Sequence, residues 1–148
     1  MGNMNNYIAV IYTNVSPKDA FFVVAQEIGS WWSEFEGNLD KLGDEAAFSF
    51  KPNPTTWTFR VTGYEEGRYF ELECIKANHI HEGLPETIHE EWLNTKLIFE
   101  IEPDGGGSKI TLTHNGLVPT LDCYEICVSG WDHFFKDSLK NYLDFNSA

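Results

Sequence analysis

The stretch THNGLVPTLDCYEICVSGW, residues 113 to 131, carries the chain from its last predicted strand into its last predicted helix. Just before and within it, Ile110, Leu112 and His114 alternate with polar residues, which is typical of a strand with one buried face. After Pro119, apolar residues recur at steps of three and four, and no further proline interrupts them. This spacing predicts a long amphipathic C-terminal helix that packs against the strand.

The chain before this stretch predicts a strand, a helix and a meander of strands. Residues 7 to 14 are β-branched and aromatic, and Ser16 and Pro17 open a helix that should end near Gly29. Further strands are predicted within residues 45–51, 55–64, 68–76, 88–102 and 109–115, and a long loop over 77–87. The order predicts an α+β fold in which a curved antiparallel sheet of about six or seven strands surrounds the C-terminal helix, as a single domain over residues 1–148.

Charge and cysteine content limit the partners and the compartment. Ten Lys plus Arg against 23 Asp plus Glu give a formal charge of -13, which disfavours nucleic acid and anionic membranes as partners. The sequence has no run of about 20 apolar residues and no signal peptide at its polar start. An odd number of cysteines, Cys74, Cys123 and Cys127, suits reduced thiols. We therefore expect a cytoplasmic protein that contacts neither nucleic acid nor membrane.

Aromatic residues make up 15% of the chain, with 5 Trp, 6 Tyr and 11 Phe. Such a content fits two interpretations, an ordinary packed core or an apolar cavity of ligand size. Rings that alternate on the inner face of a curved sheet, opposite one helix, favour the cavity. The aromatic pattern therefore predicts a pocket between the sheet and the C-terminal helix.

The cysteines and histidines raise the question of a metal or a reactive thiol. Cys123 and Cys127 lie four residues apart on one predicted helical face, where the geometry disfavours a disulfide. With His114 they supply three ligands at most, in a spacing typical of no zinc site. A second group, His79 and His81 with His89, Glu82 and Glu90, falls within residues 77–90, which we interpret as solvated and as a mobile flap over the cavity mouth. We expect core packing of the thiols, no metal and no cofactor.

His114 has two interpretations. It ends a strand on the buried face and is followed by Asn115 and Gly116. A histidine in that place is often structural, with its nitrogens bonded within the protein. The alternative is a polar anchor at one end of the cavity that orients a ligand, together with the hydroxyl of Tyr124.

Several motifs together resemble the START-like (SRPBCC) superfamily, specifically its branch similar to the C-terminal domain of the activator of Hsp90 ATPase. The motifs are SPKDAF at 16–21, WW at 31–32, LIFEI at 97–101, LTHNGL at 112–117, DCY at 122–124, GW at 130–131 and SLKNYL at 138–143. The resemblance covers nearly the whole chain. It implies a helix-grip fold with an elongated apolar cavity between the sheet and the long helix.

The resemblance leaves three kinds of function open, because the superfamily includes carriers, cyclases and co-chaperone domains. The chain could bind a small hydrophobic or aromatic ligand without catalysis, as a carrier or sensor. It could be a cyclase- or hydrolase-like enzyme with His114 as general acid/base, or a co-chaperone-like domain that binds a protein partner or a second copy of itself. The sequence favours ligand binding, because no inward-facing acid accompanies His114. The predicted ligand contacts are Trp32, Phe50, Trp57, Phe59, Phe70, Leu72, Leu97, Phe99, His114, Tyr124, Cys127 and Trp131.

Overall fold

A seven-stranded antiparallel sheet forms the body of the protein. The computed structural model describes residues 6–50 and 53–146. The strands are β1 (Tyr7–Thr13), β2 (Phe35–Gly37), β3 (Glu45–Phe50), β4 (Asn53–Glu65), β5 (Tyr69–Asn78), β6 (Lys96–Asp104) and β7 (Gly107–Asn115). Their order across the sheet is β1-β7-β6-β5-β4-β3-β2, so β1 and β2 are the edges. The sheet curves around the C-terminal helix, and the predicted α+β helix-grip fold is confirmed.

The helices lie at the two ends of the chain. They are α1 (Pro17–Gln26), α2 (Ile28–Trp31), α3 (Tyr124–Trp131) and α4 (Lys140–Asn146), with a π-helical segment Asp132–Leu139 joining the last two and a 3-10 turn at Glu86–Glu90. Ser16 caps α1, because its hydroxyl oxygen accepts a hydrogen bond from the Asp19 backbone N–H at 3.3 Å. The predicted first helix is therefore present, but it divides at Glu27 into α1 and α2.

The alternation read from the sequence matches burial along the central strands. Ile110, Leu112 and His114 of β7 are all fully buried, as the period of two requires. Register places His114 opposite Tyr7 of β1 on one side and Leu97 of β6 on the other. The histidine therefore lies in the middle of three paired strands, directly beneath the C-terminal helix.

The segment predicted as a solvated loop is tied to the sheet. Strand β5 continues to Asn78, and the backbone N–H of His79 donates to the carbonyl of His89 at 3.0 Å. Ile80 is held on both sides by the Thr55 hydroxyl, which accepts from its N–H and donates to its carbonyl, each at 2.9 Å. His79 is only 5% exposed, so the prediction of a solvated position is wrong for this residue. The hydrogen bonds that hold this segment join His79 to His89 and Thr55 to Ile80, and periodicity does not detect either pairing.

The turn before β6 also differs from the prediction. In the strand predicted within residues 88–102, alternation with Leu97 and Phe99 predicts that Leu93 points inward. The structure instead buries Trp92 at 3% exposure and leaves Leu93 half-buried. Asn94 adopts a positive φ of 70°, and its N–H donates to the Cys74 carbonyl at 2.8 Å. Because β6 begins only at Lys96, the period of two does not extend back to Leu93.

Candidate functional site

An apolar cavity of about 220 Å³ lies between α3, the start of the π-helical segment and the strands β3 and β4. It is partly open to solvent. Six aromatic rings form most of its wall, those of Trp32, Phe50, Trp57, Trp92, Trp131 and Phe134. We call this cavity the tryptophan pocket, because four of the five tryptophans of the chain line it.

The four indoles are stacked with their planes nearly parallel. Trp57 and Trp92 have ring centroids 3.9 Å apart at an angle of 9°, and Trp32 and Trp131 are 5.1 Å apart at 26°. Trp92 and Trp131 connect the two pairs at 6.0 Å and 15°. Stacked rings hold one another in place. This part of the pocket wall is therefore apolar and fixed.

The residues predicted from the sequence divide between this wall and the core. Five line the pocket, namely Trp32, Phe50, Trp57, Cys127 and Trp131. Six others are completely buried in the core and do not line it, namely Phe59, Phe70, Leu72, Leu97, Phe99 and His114. Tyr124 is half-buried at the start of α3 and also lies outside the lining. Strand parity identifies the buried face of a sheet, but it does not show which part of that face remains unfilled.

Seven lining residues are absent from the sequence-based set, namely Thr55, His79, His81, Trp92, Ile126, Gly130 and Phe134. A glycine inside a helix costs about 1 kcal/mol relative to alanine, so Gly130 within the predicted C-terminal helix indicates a close approach of backbone. This prediction is wrong, since a Cβ added there would meet no atom within 4 Å. Gly130 instead leaves open space at the pocket wall.

His114 is held by hydrogen bonds at both ring nitrogens. The Trp131 indole N–H donates to Nδ1 at 3.0 Å, so Nε2 carries the proton and donates to the Thr95 hydroxyl oxygen at 2.9 Å. Thr95 in turn donates to the Trp92 carbonyl at 2.6 Å. Gly116 has to be glycine here, because its φ is 111° and a Cβ would lie 2.5 Å from the Thr95 methyl group. His114 therefore has no free nitrogen for a ligand or a substrate.

Burial lowers the pKa of His114 from 6.5 to about 3. The neutral ring is favoured in the folded protein, whereas the unfolded chain takes up a proton near pH 6.5. The neutral His114 ring therefore makes its full contribution to the free energy of unfolding above pH 6.5. This contribution is lost as the pH falls toward about 3.

The replacement His114→Gln tests whether His114 causes this pH dependence of stability. The glutamine amide can accept from Trp131 and donate to Thr95 without titrating. Between pH 6.5 and about pH 5, the wild type should lose about 2 kcal/mol of unfolding free energy more than the variant does. Urea denaturation across this pH range provides the measurement. Equal pH dependence in the two proteins would contradict a neutral, buried His114.

Two buried polar atoms have no hydrogen-bond partner in the part of the chain that the structure describes, and both belong to residues of the pocket wall. They are Trp57 Nε1 and His79 Nδ1. The neighbouring indoles differ, since Trp92 donates to Cys127 Sγ at 3.2 Å and Trp31, outside the pocket, donates to the Val24 carbonyl at 3.3 Å. Buried polar groups without partners are uncommon in proteins. Trp57, a residue of the pocket wall, therefore carries a buried hydrogen-bond donor that no described group accepts.

The two helix cysteines lie against the same wall. Their thiols are free, and Cys127 Sγ is 2.7 Å from Cys123 Sγ. The hydrogen bond from Cys127, together with burial, raises the pKa of the Cys123 thiol well above its ordinary range. The Cys123 thiol is therefore protonated at neutral pH.

The fold and pocket define a helix-grip protein, and comparison with known families gives the particular family. The model for "Activator of Hsp90 ATPase homolog 1-like protein" matches residues 20–144, and the chain belongs to this family. The comparison with curated protein sequences gives no match.

Solved structures share the fold at low sequence identity. The Aha1 dimer from Colwellia psychrerythraea is 20% identical with a TM-score of 0.74, over 98% of this chain and 100% of that one. Protein MLL2253 from Mesorhizobium loti is 16% identical with a TM-score of 0.75, over 93% and 96% of the two chains. CalU16 from Micromonospora echinospora is 15% identical with a TM-score of 0.61, over 88% and 71%. Within residues 6–50 and 53–146, the helices are too short or too polar to cross a bilayer.

Proposed function

We propose that the protein binds a small planar aromatic or hydrophobic molecule in the tryptophan pocket without chemical conversion, as a carrier or sensor. The observation that carries this proposal is the wall of six aromatic rings, in which the buried indole N–H of Trp57 has no partner among the described residues. Apolar rings supply the binding free energy, and few polar groups supply orientation, as in most small-molecule sites.

The size of the pocket indicates the size of the ligand. Its volume of about 220 Å³ lies below the roughly 300–1,000 Å³ of pockets for drug-sized molecules. It exceeds the roughly 150 Å³ of an apolar protein cavity that accepts benzene. A single substituted aromatic ring therefore fits best.

The Trp57 N–H favours a ligand that carries a hydrogen-bond acceptor. The group is buried and has no partner among the described residues. A buried donor left unpaired costs about 1–3 kcal/mol, and a ligand carbonyl or ether oxygen would remove that cost. The preferred ligand is an aromatic ring with one neutral acceptor.

The alternative of an acid–base enzyme has less support. His114 has both nitrogens bonded within the protein, and it does not line the pocket. No Asp or Glu is among the lining residues that the structure describes. A general acid or base needs a positioned partner, and the wall offers none of the carboxylate kind.

A titration with two matched molecules tests the proposal. Acetophenone and ethylbenzene have nearly the same shape, but only acetophenone carries an acceptor oxygen. Acetophenone should change the tryptophan fluorescence in a saturable manner with one site per chain, because four of the five tryptophans line the pocket. Ethylbenzene should bind about 5- to 10-fold more weakly, which corresponds to one lost hydrogen bond.

Calorimetry on the same solutions checks that the fluorescence change reports binding. If neither molecule binds at its solubility limit, the proposed function is wrong. If both molecules bind with equal affinity, binding in the pocket is still supported, but the proposed hydrogen bond from Trp57 to the ligand oxygen is wrong.

A second candidate function, association with another copy of the chain, is favoured by the edge strand β1. Its outer face presents Ile8, Val10 and Tyr12, which are 60%, 38% and 53% exposed. An apolar edge strand is a ready surface for pairing with another chain. The structure similar to this one from Colwellia psychrerythraea is described as a dimer. Sedimentation should show a concentration-dependent dimer that the replacement Val10→Lys abolishes.

We also place the protein in a reducing compartment, the cytoplasm. Three buried thiols without a disulfide among them support this placement. We treat residues 1–148 as one domain, which is supported by a single cluster of buried residues running from Tyr7 to Leu143.

A further inference from the structure

His79, Cys123 and Cys127 form a buried cluster behind the wall of the tryptophan pocket, which we call the thiol cluster. One ligand atom from each residue lies within 4.8 Å of the other two. All three side chains are buried, with exposures of 5%, 0% and 6%. The residues come from distant parts of the chain, because His79 follows β5 whereas Cys123 and Cys127 lie at the start of α3. The fold thus brings one imidazole and two thiols together.

Two thiolates and an imidazole are the donors that thiophilic d10 cations prefer, above all Zn²⁺ and Cu⁺. In a tetrahedral zinc site with bonds of about 2.3 Å to sulfur and 2.0–2.1 Å to nitrogen, the ligand atoms lie roughly 3.5–4 Å apart. In the thiol cluster the two sulfurs lie 2.7 Å apart, and every pair of ligand atoms lies within 4.8 Å. Side-chain rotations that separate the two sulfurs would bring the three atoms to the spacing of a zinc site.

Two further features of the surroundings point to a ligand. Nδ1 of His79 is buried and has no hydrogen-bond partner within the described ranges, although the ring packs beside Trp57 with centroids 5.0 Å apart. The Trp92 N–H donates to Cys127 Sγ at 3.2 Å, and such a donor stabilises a metal-bound thiolate. The fold therefore supplies both an unused nitrogen and a hydrogen bond to one sulfur.

The charge balance of the three ligands distinguishes the two ions. Cys123 is the residue before α3, and Cys127 lies in the first turn and a half of that helix. Zn²⁺ with two thiolates and a neutral imidazole carries no net charge, which suits a buried position better than the single negative charge of the Cu⁺ complex.

We propose that His79, Cys123 and Cys127 bind a thiophilic d10 cation, with Zn²⁺ favoured over Cu⁺ by the charge balance. On binding, each thiol releases one proton to solvent and forms one metal–sulfur bond, and the neutral imidazole donates a lone pair. His79 and Cys127 both line the tryptophan pocket, so a fourth coordination position would face it. This inference does not depend on the proposed ligand.

From the sequence alone we expect no metal site, because the cysteines are considered there with His114. The fold places them beside His79 instead. His114 is bonded at both nitrogens and cannot coordinate a cation. His79, which directly follows β5, is the histidine that lies beside the two thiols.

Metal titration of the reduced, metal-free protein tests the proposal in the absence of any aromatic ligand. Zn²⁺ should bind in a 1:1 ratio and release about two protons in weakly buffered solution. Co²⁺ used as a probe should show thiolate-to-metal charge-transfer absorption. A parallel titration with Cu⁺ against a chromophoric chelator distinguishes the two ions, and binding of either ion by the thiol cluster supports the proposal.

Matched variants assign the site. Cys123→Ala and Cys127→Ala should each weaken binding by more than about 100-fold, since one of three ligands is removed. Cys74→Ala is the control, because Cys74 is equally buried but donates to the Lys76 carbonyl at 3.3 Å, outside the cluster. Its affinity should remain within about threefold of the wild type. His79→Gln provides a third test if an alanine variant fails to fold.

Two results would overturn the proposal. One is the absence of 1:1 binding of either ion to the reduced protein. The other is binding that persists unchanged in folded Cys123→Ala, Cys127→Ala and His79→Gln proteins, because the ion would then occupy another position.

Discussion

Replacing Trp131 with alanine should lower the free energy of unfolding by about 3–5 kcal/mol, the range for removal of a large buried aromatic side chain. Trp131 is 2% exposed and stacks with Trp32 and Trp92 at 5.1 and 6.0 Å. Its N–H also donates to His114 at 3.0 Å, so the alanine variant leaves a buried nitrogen unpaired as well. Urea denaturation at neutral pH measures the change.

Trp131→Phe is the matched control for this prediction. It keeps most of the ring in the stack and removes only the N–H that reaches His114. The expected loss is smaller, about 1–3 kcal/mol, because the main change is one unsatisfied buried acceptor. If the free energy of unfolding of Trp131→Ala lies within about 1 kcal/mol of the wild-type value, Trp131 does not connect the helix to the sheet as described.

Gly130→Leu should abolish acetophenone binding without unfolding the protein. Gly130 lines the tryptophan pocket, and an added Cβ meets no atom within 4 Å, so the larger side chain enters open space. A leucine there would take up much of a cavity of about 220 Å³. The fluorescence titration should then show no saturable change up to the solubility limit.

Two controls separate filling of the pocket from other effects. Ser129→Leu adds the same side chain at an exposed neighbour on α3 and should bind acetophenone like the wild type. Gly130→Ala adds only a methyl group and should raise stability by up to about 1 kcal/mol through helix propensity. Unchanged binding by a folded Gly130→Leu protein would place the ligand elsewhere.

The fold could be predicted from the sequence because its determinants are local and periodic. Alternation in β7 identifies Ile110, Leu112 and His114 as buried, and the spacing after Pro119 predicts the gripped helix. The short strand β2 escapes prediction, because three residues are too few to establish a period.

The candidate site could be predicted only in part, because it depends on which positions of the buried face remain unfilled. Trp57 and Phe59 share the same parity on β4, yet only Trp57 lines the pocket. Trp92 reaches the wall from a turn that follows no period. The approach of His79 to Cys123 joins residues 44 positions apart, and no spacing rule predicts it.

The indole N–H signals in a ¹H–¹⁵N spectrum of labelled protein, followed during addition of acetophenone, test the central claim most directly. The Trp57 signal should move furthest as its unpaired N–H gains the ligand oxygen. The Trp31 signal should stay in place, because that N–H bonds the Val24 carbonyl outside the pocket. A Trp57 signal that does not move at the solubility limit of acetophenone would contradict ligand binding in the tryptophan pocket.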